Sequence, residues 1–213
     1  MPAEPTLFLA IVVGTLAVSG AFWYYSEENV TKRMLRASPV TPLKRTSDGM
    51  QVRVTGRIRS ASEELRGPLS GRRCVWYGMY VDEYRSSGRS GRWVEVIREE
   101  RGVDFYLDDR SAVAIVRCQH PRVASPRDVT TGSGLFDDAT EVELSVLRKY
   151  GRDDTNTLGL NRRLRYREAA FEPGEMVTVF GTVHPLEDPH ARYEIVTPAQ
   201  GPLLMSDDAS TIR

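Results

Sequence analysis

Two stretches of the chain, Gly49-Met50-Gln51-Val52-Arg53-Val54-Thr55-Gly56-Arg57-Ile58 and Gly174-Glu175-Met176-Val177-Thr178-Val179-Phe180-Gly181-Thr182-Val183, share the pattern G-x-x-V-x-V-x-G-x-[IV]. Valines two apart put one face of a strand inward. A glycine in mid-strand lets a strongly coiled strand bend where a Cβ would clash. The echo predicts two look-alike strands with Val52, Val54, Val177 and Val179 buried, and with Gly56 and Gly181 at equivalent bends. The fold class it implies is mainly β: an OB-like or barrel-like β domain with one inserted α-helix.

The intervening sequence agrees. CVWYGMYVDEY (Cys74–Tyr84), RWVEVI, VDFYL and AVAIVRC are β-branched, aromatic or alternating, and LRYREAAF, EMVTVFGTVH and RYEIVTP resume the pattern later. Ser86–Arg92, SSGRSGR, reads as a hairpin connection with solvating arginines. Residues Gln119–Arg163 break the rhythm. There Thr140 and Glu143 form a capping box, Val142, Val146 and Leu147 can share a face, and Gly151 supplies a stop, so one helix is expected. The flanking VASPRDVTTGSG and GRDDTNTLG are turn-rich and read as loops.

Upstream of the domain lies Leu7–Tyr25, LFLAIVVGTLAVSGAFWYY, nineteen residues without a charge. A bilayer core about 30 Å thick needs roughly 20 apolar residues of helix. Trp23, Tyr24 and Tyr25 stand where amphipathic rings favour the headgroup region. A cleaved signal fits less well, because MPAEPT carries Glu4 and no Lys or Arg, and no small-x-small site precedes the aromatics. The organisation expected is a tail (1–6), a single transmembrane helix (7–25), a juxtamembrane linker (26–48), the β domain (49–207) and a tail (208–213). SEENVTKRMLR would extend the membrane helix by two or three turns before Ser38-Pro39 and Thr41-Pro42 divert the backbone. Lys32, Arg33, Arg36, Lys44 and Arg45 all follow the span, which puts the N-terminus outside and the domain in the cytoplasm. Ala10, Gly14, Ala17 and Ala21 form a small-residue stripe that would permit a homodimer.

Lys+Arg and Asp+Glu both number 29, so no global basic field exists to gather nucleic acid, and nucleic acid is excluded from the expected partners. The two cysteines, Cys74 and Cys118, are too few for a disulfide scaffold or a zinc site and are expected reduced in the core. No motif ties Cys74 to His120, His184 or His190 as a nucleophile pair. Asp108-Asp109 follows an apolar strand in turn position, where Asp bonds its own backbone; the other reading is a carboxylate site for a metal or for acid–base work. Glu168 lies between apolar strand residues, as a buried carboxylate bonded to backbone or arginine, or as a functional acid. Arg162, Arg163, Arg165 and Arg167 alternate along an expected strand, either as lipid or partner contacts or as a solvated face offset by Asp153 and Asp154. No catalytic, cofactor-binding or metal-ligating residue is assigned, and no cofactor is expected.

Pro68-Leu69-Ser70-Gly71-Arg72-Arg73-Cys74-Val75-Trp76-Tyr77, then Phe105-Tyr106-Leu107-Asp108-Asp109, then Tyr166-Arg167-Glu168 running into Pro173-Gly174-Glu175-Met176-Val177-Thr178-Val179-Phe180-Gly181, together resemble the GIDE-type, or "beside a membrane" (BAM), domain. The likeness covers roughly Val40–Asp207. On that resemblance Pro68, Ser70, Gly71, Cys74, Tyr77, Asp108, Asp109, Tyr166, Glu168, Gly174 and Gly181 are motif residues, structural or interacting. The family includes membrane-anchored mitochondrial ubiquitin ligases, in which the domain recruits or senses substrates and a RING does the chemistry. It also includes prokaryotic membrane proteins of stress or defence contexts. A RING needs eight Cys/His ligands, and after Gly181 the chain has no Cys and only His184 and His190. The resemblance therefore implies a non-enzymatic, single-pass module binding a protein or lipid partner at the membrane. Its alternative is the substrate-recruiting part of a longer ligase-like enzyme.

Overall fold

The computed structural model describes residues 26–61, 63–87, 90–134, 138–155 and 161–212. The described chain begins with α1 (Glu27–Ala37), a 3-10 turn at Leu43–Arg45, β1 (Met50–Ser60), β2 (Leu65–Arg66), β3 (Arg73–Cys74), β4 (Trp76–Ser87), β5 (Ser90–Gly102), β6 (Phe105–Asp108) and β7 (Val113–Val116). It continues with β8 (Arg122–Ala124), β9 (Val129–Ser133), α2 (Glu141–Lys149), β10 (Leu164–Phe171), β11 (Met176–Pro185), β12 (Tyr193–Val196), β13 (Leu204–Ser206) and α3 (Ala209–Ile212).

The two echoing segments are β1 and β11, and they pair with each other. They run antiparallel with Val52 opposite Gly181, Val54 opposite Val179 and Gly56 opposite Val177. Each repeat thus sets its glycine against a valine of the other, and all four valines are at most 2% exposed. β1 also pairs with β6, β6 with β7, β7 in parallel with β12, and β12 with β11, which closes a five-stranded barrel. Gly56 lies where β1 passes from β11 to β6, and a Cβ there would stand 2.7 Å from the Asp108 carbonyl oxygen. Gly181 lies where β11 passes from β13 to β12, and its Cβ would stand 2.7 Å from the Val196 carbonyl oxygen. Closing a sheet of so few strands forces backbones together at such corners, and glycine permits the approach.

Two long insertions interrupt the barrel. The one between β1 and β6 supplies β4 and β5; the one between β7 and β11 supplies β9, α2 and β10. They join through β4 and β10 into an antiparallel sheet in the order β5-β4-β10-β9. The base of this sheet is rooted in the barrel core, where Trp76 and Phe171 pack with ring centroids 5.0 Å apart. Further out, one face makes a second core of Met79, Val81, Ile97, Tyr166 and Ala170, covered by Val146 and Leu147 of α2.

Several expectations are corrected. The stretch 26–48 is not a free linker or a prolongation of a membrane helix. Ser26 has a non-helical backbone (ψ 143°) and caps α1, its hydroxyl accepting from the Asn29 N–H, so α1 starts afresh at its own cap. Leu35 and Leu43 are fully buried, which makes this stretch part of the folded body. The tail is also anchored: Thr211 is fully buried, and the carbonyl of Thr211 accepts from Arg53. VASPRDVTTGSG, read as loop, carries β8 and β9, because Thr130, Thr131 and Gly132 find ladder partners on β10 that no local pattern announces. The capping box of Thr140 and Glu143 is present as expected. On that helix, however, Val142 is 45% exposed, and Glu143 is buried instead, accepting from Thr131 at 2.7 Å. The proposed span 7–25, its Ala10, Gly14, Ala17 and Ala21 stripe, and residues 156–159 of GRDDTNTLG lie outside the described residues.

Arg53 explains how α1 and α3 are held. It points outward from β1 yet is only 4% exposed, and it donates to the carbonyls of Leu35 and Ser38, each at 3.2 Å, and of Thr211. A helix C-terminus leaves carbonyls without intrahelical partners and carries partial negative charge, so one guanidinium satisfies the ends of both helices. Thr178 extends the same polar floor, donating to the Thr211 carbonyl at 2.8 Å and sharing a hydrogen bond with Thr55. Lys32 of α1 closes the rim with an ion pair to Asp208 at 2.7 Å.

Candidate functional site

The outer face of the β4–β5–β10 sheet carries the most concentrated polar chemistry of the described residues. Alternation along β10 puts Arg165 and Arg167 on this face, and Arg163 precedes them in the same sense. Their neighbours across β4 are Tyr84, Asp82 and Tyr80, and beyond these on β5 lie Trp93, Glu95 and Arg98. Asp82 is 3% exposed and accepts from both Arg165 and Arg167, at 2.9–3.1 Å. The guanidinium of Arg163 lies 4.9 Å from the Tyr84 ring centroid and 5.6 Å from that of Trp93, with Arg165 4.6 Å from Trp93. Arg127, from the β8–β9 connection, sits 4.5 Å over Tyr80, whose hydroxyl donates to Glu100 at 2.6 Å. The result is an alternating plane of guanidinium and aromatic groups.

Arg162 is not part of it. The side chain of Arg162 turns to the opposite side and pairs with Glu83 at 3.0 Å. The acids that offset the cluster are Asp82 and Glu83 on the neighbouring strand, not the sequence-adjacent Asp153 and Asp154, because strand pairing sets which charges meet. Tyr80, Tyr84, Trp93, Arg98 and Arg127 were missed by sequence reading. The signal that could have found the strand residues is that Tyr80, Asp82 and Tyr84 fall on one face of their strand, as the odd-numbered arginines do on theirs.

The motif residues gather elsewhere and hold one another. Glu168, fully buried on the opposite face of β10, accepts from the Leu69 N–H at 2.7 Å and the Ser70 hydroxyl at 2.5 Å. It thereby pins the Pro68–Gly71 turn, which Gly71 closes at φ +69°. Gly67 belongs to the same arrangement, since a Cβ there would lie 2.5 Å from the Glu168 carboxylate. Cys74 is fully buried beside this turn, and burial, aided by the charges of Glu168 and Glu172, pushes its thiol up to about 11. Cys118 is pushed up to about 12 by burial. Tyr166 is fully buried in the second core, and the Tyr77 hydroxyl donates to Glu99. Asp108 and Asp109 make the expected turn: Asp108 accepts from the Arg110 N–H, and Asp109 from the N–H groups of Ser111, Ala112 and, 66 residues away, Leu43. Gly174, at φ +96°, turns the chain into β11, and Gly181 occupies the barrel corner. No group of His, Cys, Asp and Glu among the described residues is arranged to hold a metal ion.

Among the described residues, Asp207, just after β13, is the carboxylate pushed furthest upward. Burial outweighs the hydrogen bond from Ser125 and raises it from 3.8 to about 6. The folded state therefore keeps a proton that the unfolded chain releases above pH 3.8, so stability falls as pH rises to about 6 and the deficit persists above. Asp207→Asn is expected to raise stability at neutral pH by about 2 kcal/mol and to leave it unchanged below about pH 4. Parallel stability–pH curves for the two proteins would exclude this assignment.

No protein-family model matches the chain, and neither the curated proteins nor the solved structures contain a match to it.

Proposed function

We propose that this chain is a membrane-anchored binding module of GIDE type, without chemistry of its own, whose OB-like barrel presents an accessory sheet to a partner at the membrane surface. The observation that carries the reading is the use to which the motif residues are put. Glu168, Ser70 and Cys74, the reactive types in the resembling segments, serve one half-buried turn closed by Gly71: the buried carboxylate is committed to two donors, and the thiol is raised and enclosed. Such groups support architecture and not attack on a substrate. The anchored half of the reading is supported by the uncharged run Leu7–Tyr25 ending directly before Ser26, the cap of a helix that Arg53 binds to the barrel wall. The N-terminus is placed outside and the domain in the cytoplasm by the basic residues that follow the run.

Two measurements test it on the full chain. Alkaline extraction of membranes should leave the protein in the bilayer fraction; release into the supernatant removes the anchor. Cys74 should alkylate much more slowly in the native protein than in denaturant, because burial withholds the thiolate. Native labelling faster than that of the unfolded chain would mark an activated nucleophile and move the reading to an enzyme.

A further inference from the structure

We infer that the arginine–aromatic face of the β4–β5–β10 sheet rests on the headgroup phosphates of the anionic bilayer in which the chain is anchored. This rests on the anchored reading above and adds to it the surface and the ligand. Position is the first argument. The Glu27 carboxylate lies 3.5 Å from the guanidinium of Arg98, so the first turn of α1, the first described element after the apolar run, is at the rim of this face.

Chemistry is the second. Arg127 and Arg163 have no carboxylate partner among the described residues, and each lies over a ring; Arg127 spends one N–H on the Ser125 carbonyl at 2.9 Å, and Arg163 is exposed. Arginine on an aromatic presents a planar fork suited to phosphate, and Trp and Tyr tolerate the half-wet headgroup layer. Two of the acids on the face are already engaged: Asp82 is buried under Arg165 and Arg167, and Glu100 is occupied by Arg98 and Tyr80. Glu95 and Glu100 nonetheless stay exposed, as does Glu27 at the rim. A leaflet rich in anionic lipid attracts each such arginine enough to change a docked population on the order of five-fold.

The test uses the full chain in nanodiscs of phosphatidylcholine, with or without phosphatidylglycerol, containing lipids spin-labelled near the headgroup. Trp23 and Trp76 also emit, so the contribution of Trp93 is the difference between the parent and Trp93→Phe. Quenching of Trp93 is expected in anionic discs, reduced by added salt, and reduced in Arg127→Gln/Arg163→Gln by on the order of 25-fold in the docked ratio. Arg163→Gln alone, at an exposed position, keeps the test valid if the double variant unfolds. Equal or absent quenching of Trp93 in both kinds of disc overturns the inference. So does a Trp93 response to inorganic phosphate in neutral discs with none to anionic lipid, which identifies a free-anion site. Protein that fails to remain in discs refutes the anchored reading itself, whereas protein retained with Trp93 unquenched refutes only the docking.

Discussion

Gly181→Val is expected to lower the unfolding free energy by about 3 kcal/mol or more, the upper part of the range for overpacking a tight site. The Cβ alone would meet the Val196 carbonyl oxygen at 2.7 Å, the Ile195 side chain at 2.6 Å and Leu203 at 2.9 Å, before the two methyl groups are placed. One of these neighbours is backbone of the adjoining strand, and it moves only if β12 separates from β11. Gly56→Val meets the same obstacle in the Asp108 carbonyl and should behave alike. Urea unfolding of each variant beside the parent decides the matter. Unchanged midpoints would show that the strands do not cross as closely as described.

Glu168→Ala should cost a similar amount, about 3–5 kcal/mol, by a different route. It leaves the Leu69 N–H and the Ser70 hydroxyl without their acceptor, opens a void beside Gly67, and removes a negative charge from the neighbourhood of Arg72. Glu168→Gln is the informative companion. Its amide oxygen can still accept from Leu69, while its NH2 group must face a Ser70 oxygen that already accepts from the Arg72 N–H at 3.2 Å. Its loss should be smaller, and a Gln variant as unstable as Ala would mean that charge, not hydrogen bonding, holds the turn.

What could be read in advance follows the range of the interaction. The β1 and β11 valines and the Thr140 capping box depend on residues within a few positions, and their signals were visible. The closure of the barrel was expected from the two glycines, but that the repeats pair with each other was not, because register is a property of two segments and the pattern describes one at a time. β8 and β9 escaped notice since a three-residue strand is too short to show a period and a five-residue one rich in Thr and Gly gains its definition from neighbours alone. The arginines were noticed and their partners misassigned: sequence proximity suggested Asp153 and Asp154, whereas ladder pairing brings Asp82 beneath Arg165 and Arg167. Arg53 looked like any outward strand residue, since nothing local says that two helix ends will converge on it.

The pairing of β1 with β11 also sets a timetable. Thr55 and Thr178, bonded across that seam, are separated by 123 residues, and at ribosomal rates on the order of ten residues per second the first waits roughly ten seconds for the second to be made. Through that interval β1 has an open edge, and the carbonyls that Arg53 will bind include one, Thr211, not yet synthesised. The β4–β5 hairpin does not wait, because its twelve- and thirteen-residue strands are neighbours in sequence, as the shorter β6 and β7 are, and can form while the rest is awaited. Maturation should therefore proceed as a hairpin first and a late, nearly simultaneous closure, with chains stalled before residue 176 held in a state vulnerable to proteases and edge-to-edge association.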